Sequence, residues 1–426
     1  MPHRSDAGIA AARIYPGWIV LALTMVMAML GAGPIYYAYG NYALAFSAEY
    51  GASRTTINFA YTMVLLLGNL GSAPVGWLLD RWPVRRVALI GVVGTGLGLA
   101  LVAVTSSMTQ VVIVFATLIA LADICLGVVV TNFLLSHWFE RRRGLAIAFS
   151  QVGTSAGAII FPPLTTWLTL SFGWRPVFLI YAAAIFALAL PLWFLAHRPQ
   201  TMPAHERIDR PSSYVVDPSI GALAMSRHLS FWIVTIVIGT MIGINGGTMI
   251  SLAPFTTSIG QGPAAGALLL SIVGGAALAG KLLFGVVADR VDLRWVLRGA
   301  LVMLASGQAI LAAGGAIVPL QVGAACCGLA LGGMMPVWGL VTARIFGLAS
   351  YGRALGGTRS CMTPLSFFCP MLAGVLFDRF GSYQWVWTSY SALALVALAI
   401  TFASRRWADP LAYSSGMTAV QGKPQK

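Results

Sequence analysis

Twelve long runs of apolar residues, separated by short polar stretches, constrain the fold of this chain more than any other feature. A bilayer core about 30 Å thick is crossed by about 20 residues of helix, and each run is close to that length or longer. The runs cover residues 17–40, 54–79, 87–105, 110–133, 143–168, 174–196, 231–257, 264–288, 295–317, 319–345, 352–377 and 383–404. Charged residues make up only 9% of the chain, against about 25% in soluble domains. The sequence therefore predicts an all-α membrane protein with twelve transmembrane helices.

The distribution of basic residues predicts the orientation of these helices. The net charge of +14 taken alone would also suit a nucleic-acid-binding protein. Among the 26 lysines and arginines, however, only Arg54, Arg175 and Arg379 fall on the side opposite the N-terminus, while Lys281 and Arg359 fall within spans. Basic residues concentrate in cytoplasmic loops of membrane proteins. We therefore expect a multi-pass protein of the cell (plasma or inner) membrane, with both termini cytoplasmic and no nucleic-acid partner.

A polar stretch in the middle of the chain divides the twelve runs into six and six. The predicted organisation is an N-terminal six-helix half (1–196), a cytoplasmic linker (197–230) and a C-terminal six-helix half with a short cytoplasmic tail (231–426). Repeated six-helix units are common in secondary transporters, where the binding site lies near the bilayer midplane between the repeats. The division therefore predicts a site between the halves.

The two halves also resemble each other in sequence. The pattern G-x-x-x-D-R follows the second run at Gly76–Arg81 and the eighth run at Gly285–Arg290. Together with twelve spans and a central cytoplasmic loop, this paired motif resembles the major facilitator superfamily. Gly17-Trp18 at the start of the first helix and Trp138–Arg143 before the fifth resemble two of its branches, the oxalate/formate antiporters and the monocarboxylate transporters.

This resemblance implies a secondary active transporter. It would move a small organic anion, a mono- or dicarboxylate, by alternating access, with proton coupling or by exchange. In the superfamily the acid of the loop motif is thought to latch one conformation through a neighbouring helix N-terminus or an arginine, and negative groups do stabilise helix N-termini. We therefore expect Asp80, Arg81 and Asp289 to act in coupling or gating. The alternative is that the basic residues of these loops only anchor the topology. Pro83 departs from the motif, in which Gly is usual.

Two bases within predicted spans are the strongest candidates for binding. A charge in the hydrocarbon core costs roughly 2.5–3.5 kcal/mol on insertion scales, and such residues are usually functional. Lys281 in the eighth span and Arg359 in the eleventh lie roughly 10 Å inside the cytoplasmic ends of their helices. Arg can bind a carboxylate as a bidentate fork, and Lys supplies a point charge. We predict that both hold the substrate carboxylate. The alternative is that they snorkel to the cytoplasmic headgroups. Ala277 stands where monocarboxylate relatives carry an acid, one turn before Lys281.

Further polar residues are predicted to complete the site. Asp123, near the middle of the fourth span, is expected to act in coupling or gating, by carrying a proton or pairing with a base from the other half; a hydrogen-bonded structural role is the alternative. Tyr36 and Gln151 are predicted substrate contacts, with packing between helices as the alternative. Tyr37, Tyr39 and Tyr42, near the outer end of the first helix, are predicted to belong to an interfacial aromatic belt.

Other classes of function fit the sequence less well. There is no P-loop, no catalytic constellation and no metal-ligand spacing, so we expect neither an enzyme nor a cofactor. One alternative is an efflux carrier for drugs or lipophilic cations in the same superfamily, for which Asp123 would dominate. Another is a non-transporting membrane sensor with the same fold. A sensor would more often carry a regulatory domain, for which the linker and tail are too short. The expected partners are the organic anion, a proton and the lipid bilayer, and the chain is expected to be monomeric.

Overall fold

The computed structural model describes residues 16–139, 142–195, 225–288, 290–346 and 351–403, which form helices joined by short turns. In this part of the chain, eleven helices are long and apolar enough to cross a membrane. They are Pro16–Tyr50, Val84–Ala103, Met108–Trp138, Leu145–Phe172, Trp174–Leu195, Leu229–Ser258, Gly262–Phe284, Leu293–Ala313, Ile317–Phe346, Ala354–Phe380 and Gln384–Phe402. The predicted all-α membrane fold is confirmed.

The predicted second span is also helical, but a bend divides it. Its two helices, Arg54–Leu70 and Ser72–Arg81, meet at Gly71, and neither alone is long enough to cross. The first begins at Arg54 because the Ser53 side chain accepts a hydrogen bond from the Thr56 amide, which satisfies one free donor of the first turn. With this pair included, the chain has twelve crossing regions, which we call spans 1 to 12 in chain order.

Span 1 is longer than predicted and runs to Tyr50. Pro34 lacks an amide hydrogen and normally interrupts a helix. Here it lies in a π-helical turn over Gly33–Tyr37, and an α-helix resumes at Tyr39. Tyr39 and Tyr42 are consequently fully buried. The prediction that these two tyrosines belong to an interfacial belt is therefore wrong.

The described glycines with a left-handed backbone all lie at one end of the bundle. Glycine adopts positive φ at no steric cost, so it suits tight turns between helices. Gly51, with φ of 59°, ends span 1 in this way; the others are Gly173, Gly260, Gly262, Gly314, Gly315 and Gly381. We call this end the glycine-turn end. The opposite end, where the described helices end at Arg81, Trp138, Leu195, Ala288 and Phe346, is called the linker end.

Two clusters of buried apolar side chains occupy the bundle. One lies within spans 1 to 6, with Ile250 of span 7 added, and the other lies within the C-terminal spans. At the glycine-turn end, Glu49 accepts hydrogen bonds from the Trp174 indole and the Arg175 guanidinium, which ties span 1 to span 6. The proposed linker falls mostly outside the described residues, so its limits stay a prediction.

Small residues allow the two six-span groups to approach closely. A Cβ built on Gly274 of span 8 would lie 2.7 Å from the Ala158 Cβ of span 5. A Cβ on Gly374 of span 11 would lie 2.7 Å from the Thr55 Cα of span 2. Glycine commonly permits such close helix contacts in membranes. These two helix pairs, 5 with 8 and 2 with 11, carry the predicted bases and their neighbours.

Candidate functional site

A cavity of about 270 Å³ lies between the two six-span groups, between the middle of the bundle and its linker end. Four predicted site residues line it: Tyr36, Asp123, Gln151 and Arg359. Its other polar residues are Asn69, Thr131, Thr154 and Ser366, and its apolar wall includes Met27, Leu65, Ile124, Leu126, Val128, Val129, Ile242, Met335, Trp338 and Met362. The cavity is therefore mostly apolar, with a few polar groups, which is the composition typical of a small-molecule site.

The acid of the cavity is held by a tyrosine from another span. The Tyr36 hydroxyl of span 1 donates a hydrogen bond of 2.6 Å to Oδ2 of Asp123 in span 4. Span 4 is irregular here: Asp123 lies on the short helix Ala120–Leu126, and the chain is extended at Gly127. The Asp123 side chain is buried. Tyr36 therefore lines the cavity with Asp123 as its described partner, and its contact with a substrate stays a prediction.

The guanidinium of the cavity comes from span 11. Nε of Arg359 donates to Oδ1 of Asn69 in span 2, at 3.4 Å. Trp338, on the same cavity wall, donates through its indole to the Thr358 hydroxyl at 3.3 Å. Arg359 thus faces the cavity and is held by a neutral group from the opposite half.

Lys281 reaches a different surface from the one that sequence reasoning suggested. Its ammonium lies 2.7 Å from Oγ of Ser155, and 3.4 Å from both the Thr154 hydroxyl and the Gln151 carbonyl. Lys281 itself is not among the residues lining the cavity, whereas Thr154 and Gln151 are. The long side chain crosses to span 5 and places its charge behind that part of the wall. The two bases therefore do not meet on one face.

Neither base has an acidic partner among the described residues. The ion pairs in that part of the chain join Arg175 to Glu49 and Arg344 to Asp292, and no residue of either pair lines the cavity. The described partners of Lys281 and Arg359 are hydroxyls, a carbonyl and an amide, all of them neutral. Two positive charges inside the bundle thus have no ion-pair partner among the described residues.

The loop residues are less fully defined. The Arg81 guanidinium lies 3.7 Å above the ring of Trp77. Asp80 falls on the helix Ser72–Arg81, but its side chain lies outside the described part of the structure, and Asp289 lies outside it altogether. Their roles in gating stay predictions.

One functional candidate was missed by the sequence reasoning, namely Asp378 at the glycine-turn end of span 11. Its carboxylate accepts hydrogen bonds from the backbone amides of Arg54 and Thr55, both at 2.9 Å, and from the Thr55 hydroxyl at 2.6 Å. It therefore caps the first turn of span 2 from the opposite half. One turn further in, Asn58 donates to the Pro370 carbonyl at 2.8 Å.

A signal for Asp378 was present in the sequence. Gly374–Arg379 repeats the G-x-x-x-D-R spacing a third time, at the end of span 11. The spacing places a glycine one helical turn before the acid, and Gly374 leaves room for the Thr55 backbone that Asp378 caps. Among the described residues, the hydrogen bonds of Lys281 and Arg359 join the two halves on the linker side of the middle, whereas those of Asp378 and Asn58 join them at and near the glycine-turn end. The glycine-turn end is thus closed.

Comparison with known proteins identifies the family. A sequence model of the Major Facilitator Superfamily matches residues 18–278 and 231–412. The chain is 24% identical to human monocarboxylate transporter 6 over 388 residues, which cover 87% of this chain and 76% of that transporter. It is 23% identical over 175 residues to the MFS-type transporter YcxA of Bacillus subtilis, a match that covers 41% of this chain and 43% of YcxA.

A solved structure has the same fold. The crystal structure of a bacterial homolog of the human lysosomal transporter Spinster, in an inward-facing and occupied conformation, matches with a TM-score of 0.71. The match covers 91% of this chain and 96% of that one, at 13% sequence identity. Together with the family match over most of the sequence, this shows that the chain belongs to the Major Facilitator Superfamily and is a multi-pass membrane transporter, not an enzyme.

Proposed function

We propose that the chain carries a small organic anion, a mono- or dicarboxylate, across the cytoplasmic membrane, coupled to a proton or in exchange. The observation that carries the proposal is the pair of bases, Lys281 and Arg359, whose described partners are all neutral. The guanidinium of arginine stays charged in proteins, and a charge at this depth is costly unless it is balanced. An anion entering the cavity would supply that balance.

The geometry supports a distinct role for each residue. Arg359 uses Nε for Asn69, which leaves its terminal amino groups for a carboxylate in bidentate geometry. Nε2 of Gln151 is buried without a hydrogen-bond partner among the described residues and belongs to a residue lining the cavity, so a rotation of this side chain would offer the anion a second donor. Lys281 would raise the positive potential from behind span 5. Tyr36 would position Asp123, which we assign to coupling or gating.

Transport would proceed by alternating access of this cavity to the two membrane faces. The moving bodies we propose are residues 1–196 and 231–426, joined by the linker at 197–230, with both termini in the cytoplasm and the chain acting as a monomer. Contacts at the glycine-turn end close one face. Asp80, Arg81 and Asp289, at the linker end, would hold the other face closed in the second state.

A second candidate function is supported by one observation. The cavity contains the buried carboxyl of Asp123 next to an apolar wall that includes Trp338. An acid and an aromatic ring can together bind a lipophilic cation. The alternative is therefore an efflux carrier for such cations, in which Asp123 holds the substrate and Lys281 contributes little.

Transport measurements on the reconstituted protein distinguish carboxylate transport from cation efflux. The full chain is placed in vesicles, and uptake of labelled mono- and dicarboxylates is measured with and without a proton gradient. We expect saturable carboxylate uptake, and expulsion of lipophilic cations without carboxylate uptake would favour the alternative.

Variants of the bases test their assigned roles. Arg359→Gln should raise the carboxylate Kd about tenfold or more, since a charged hydrogen bond contributes about 1.5–3 kcal/mol, and Lys281→Gln should have a smaller effect in the same direction. Arg298→Gln is the matched control, because this arginine packs between Trp295 and Phe402, away from the cavity. Unchanged affinity in Arg359→Gln, with the protein folded, would contradict the assignment.

A further inference from the structure

The cavity contains one acid and one base that are not paired with each other. Asp123 and Arg359 both line it, yet among the described residues no ion pair joins them. The carboxylate is bound by the Tyr36 hydroxyl, and the guanidinium by the Asn69 amide. Opposite charges thus face the same space, on spans 4 and 11 of opposite halves, each held by a neutral group.

The neutral partners of the two charges approach each other at spans 1 and 2. Tyr36 is fixed in the π turn of span 1 and places its hydroxyl between span 4 and span 2, where a Cβ on Gly68 would be 3.9 Å from it. Asn69, the next residue of span 2, accepts the hydrogen bond from Nε of Arg359. The two neutral partners, Tyr36 and Asn69, therefore lie on neighbouring spans beside the acid and the base, and most of the remaining cavity wall is apolar.

A plain carboxylate would satisfy only half of this arrangement. It would neutralise Arg359 and leave Asp123 with no positive partner, and an unpaired charge in a low-dielectric interior is costly. A ligand that carries both signs would neutralise both groups at once. The cavity volume of about 270 Å³ is at the small end of the range for ligand sites, so the ligand must be small. Because most of the wall is apolar, the part of the ligand between its two charges and the wall should be apolar as well.

From these observations we infer that the substrate is amphoteric, a small amino acid with an apolar side chain. Its carboxylate binds Arg359, with Gln151 as a second donor, and its ammonium binds Asp123 in the position that Tyr36 sets. Its side chain packs against the apolar wall that includes Met335 and Trp338. This inference rests on the proposed carboxylate transport and deepens it, because the positive partner of Asp123 then enters with the substrate. Three points of attachment also predict discrimination between enantiomers.

Two sets of three compounds, each set sharing one apolar body, test the inference. The first set is leucine, 4-methylpentanoate and isopentylamine, and the second is phenylalanine, 3-phenylpropanoate and phenethylamine. Each set compares both charges with the carboxylate alone and the ammonium alone, at two sizes of apolar body. Binding to the purified full-length chain is measured by titration calorimetry at neutral pH, and uptake into vesicles is measured for the same compounds.

We expect the amino acid of at least one set to bind at least tenfold more tightly than both of its partners, with one enantiomer preferred. Asp123→Asn should weaken the amino acid and the amine relative to the plain carboxylate and so remove that advantage, whereas Arg359→Gln should weaken both carboxylate-bearing compounds relative to the amine. The comparison of ligands on the unaltered chain stands even where a variant fails to fold.

Other results overturn the inference and separate it from the proposed function. Equal or tighter binding of the plain carboxylates would refute the amphoteric substrate and leave carboxylate transport intact, with Asp123 then available for a proton. Binding of the amines alone would refute both and favour the cation carrier. Absence of saturable binding by either amino acid would also refute the inference.

Discussion

The carboxylate of Asp378 should hold the glycine-turn end closed, and its removal should open that end. Its three hydrogen bonds to Arg54 and Thr55 span the two halves, so they must break when the halves separate there. A side chain that caps a helix N-terminus contributes about 0.5–2 kcal/mol, and its charge adds about 0.3–1 kcal/mol near the surface. Since Asp378 is exposed, we take about 2 kcal/mol for the whole contact.

That energy corresponds to a measurable change in population. About 2 kcal/mol is about a 30-fold change in an equilibrium constant, so a minor open state of about 1% would rise to about 20%. Asp378→Ala loses the whole contact. Asp378→Asn keeps one acceptor oxygen and loses the charge, so we expect about half the energy and about a fivefold change.

Double electron–electron resonance provides the assay. Nitroxide labels are attached at Ser106→Cys and Gln261→Cys, two exposed positions at the glycine-turn end, one in each half, in a background without the native cysteines. Asp378→Ala should add a longer distance between the labels. Glu49→Gln is the control, because Glu49 contacts only its own half in the described structure. An unchanged distance distribution in Asp378→Ala, or the same change in the control, would refute the reasoning.

Two further predictions concern stability. Gly332→Ala should lower the thermal unfolding midpoint in detergent by the equivalent of about 1–3 kcal/mol, because a Cβ there would lie 2.0 Å from the Ala277 carbonyl oxygen; Gly275→Ala, whose Cβ would meet nothing within 4 Å, is the control and should leave the midpoint unchanged. Glu49→Gln should cost only about 0.2–1 kcal/mol, because Glu49 and Arg175 are each more than a third exposed, and a loss above about 3 kcal/mol would show that this pair acts as a buried one.

The sequence predicted the spans well because each depends on a local property, a continuous apolar run of sufficient length. Span 1 shows where that approach fails. Pro34 and the tyrosines after it suggested an end near residue 40, whereas the helix continues to Tyr50 through a π turn. The turn packs closely against a residue distant in sequence: a Cβ on Gly33 would lie 2.3 Å from the Phe161 ring of span 5. No local pattern in span 1 records that contact.

The direction of the side chains explains why the predicted and observed positions of the two bases differ. Depth along a helix can be read from the sequence, and Lys281 and Arg359 were given similar depths on that basis. Which surface a long side chain reaches depends on its neighbours, and Lys281 crosses to the hydroxyls of Thr154 and Ser155 on span 5. The sequence therefore predicted which charged residues lie within spans. Only the packing of the helices shows that Arg359 lines the cavity and that Lys281 lies behind its wall.

The position of the cavity acid suggests how ligand binding could be connected to movement of the halves. Asp123 lies on the seven-residue helix Ala120–Leu126, between the π turn Phe115–Ile119 and the extended residue Gly127. Helices bend most readily where their regular hydrogen bonding is already interrupted, and π turns are frequent at functional sites. Its partner Tyr36 also lies within a π turn. A change of charge at Asp123 therefore acts on the two spans at their least regular points, so a small local adjustment can be transmitted along spans 1 and 4 to the ends of the bundle.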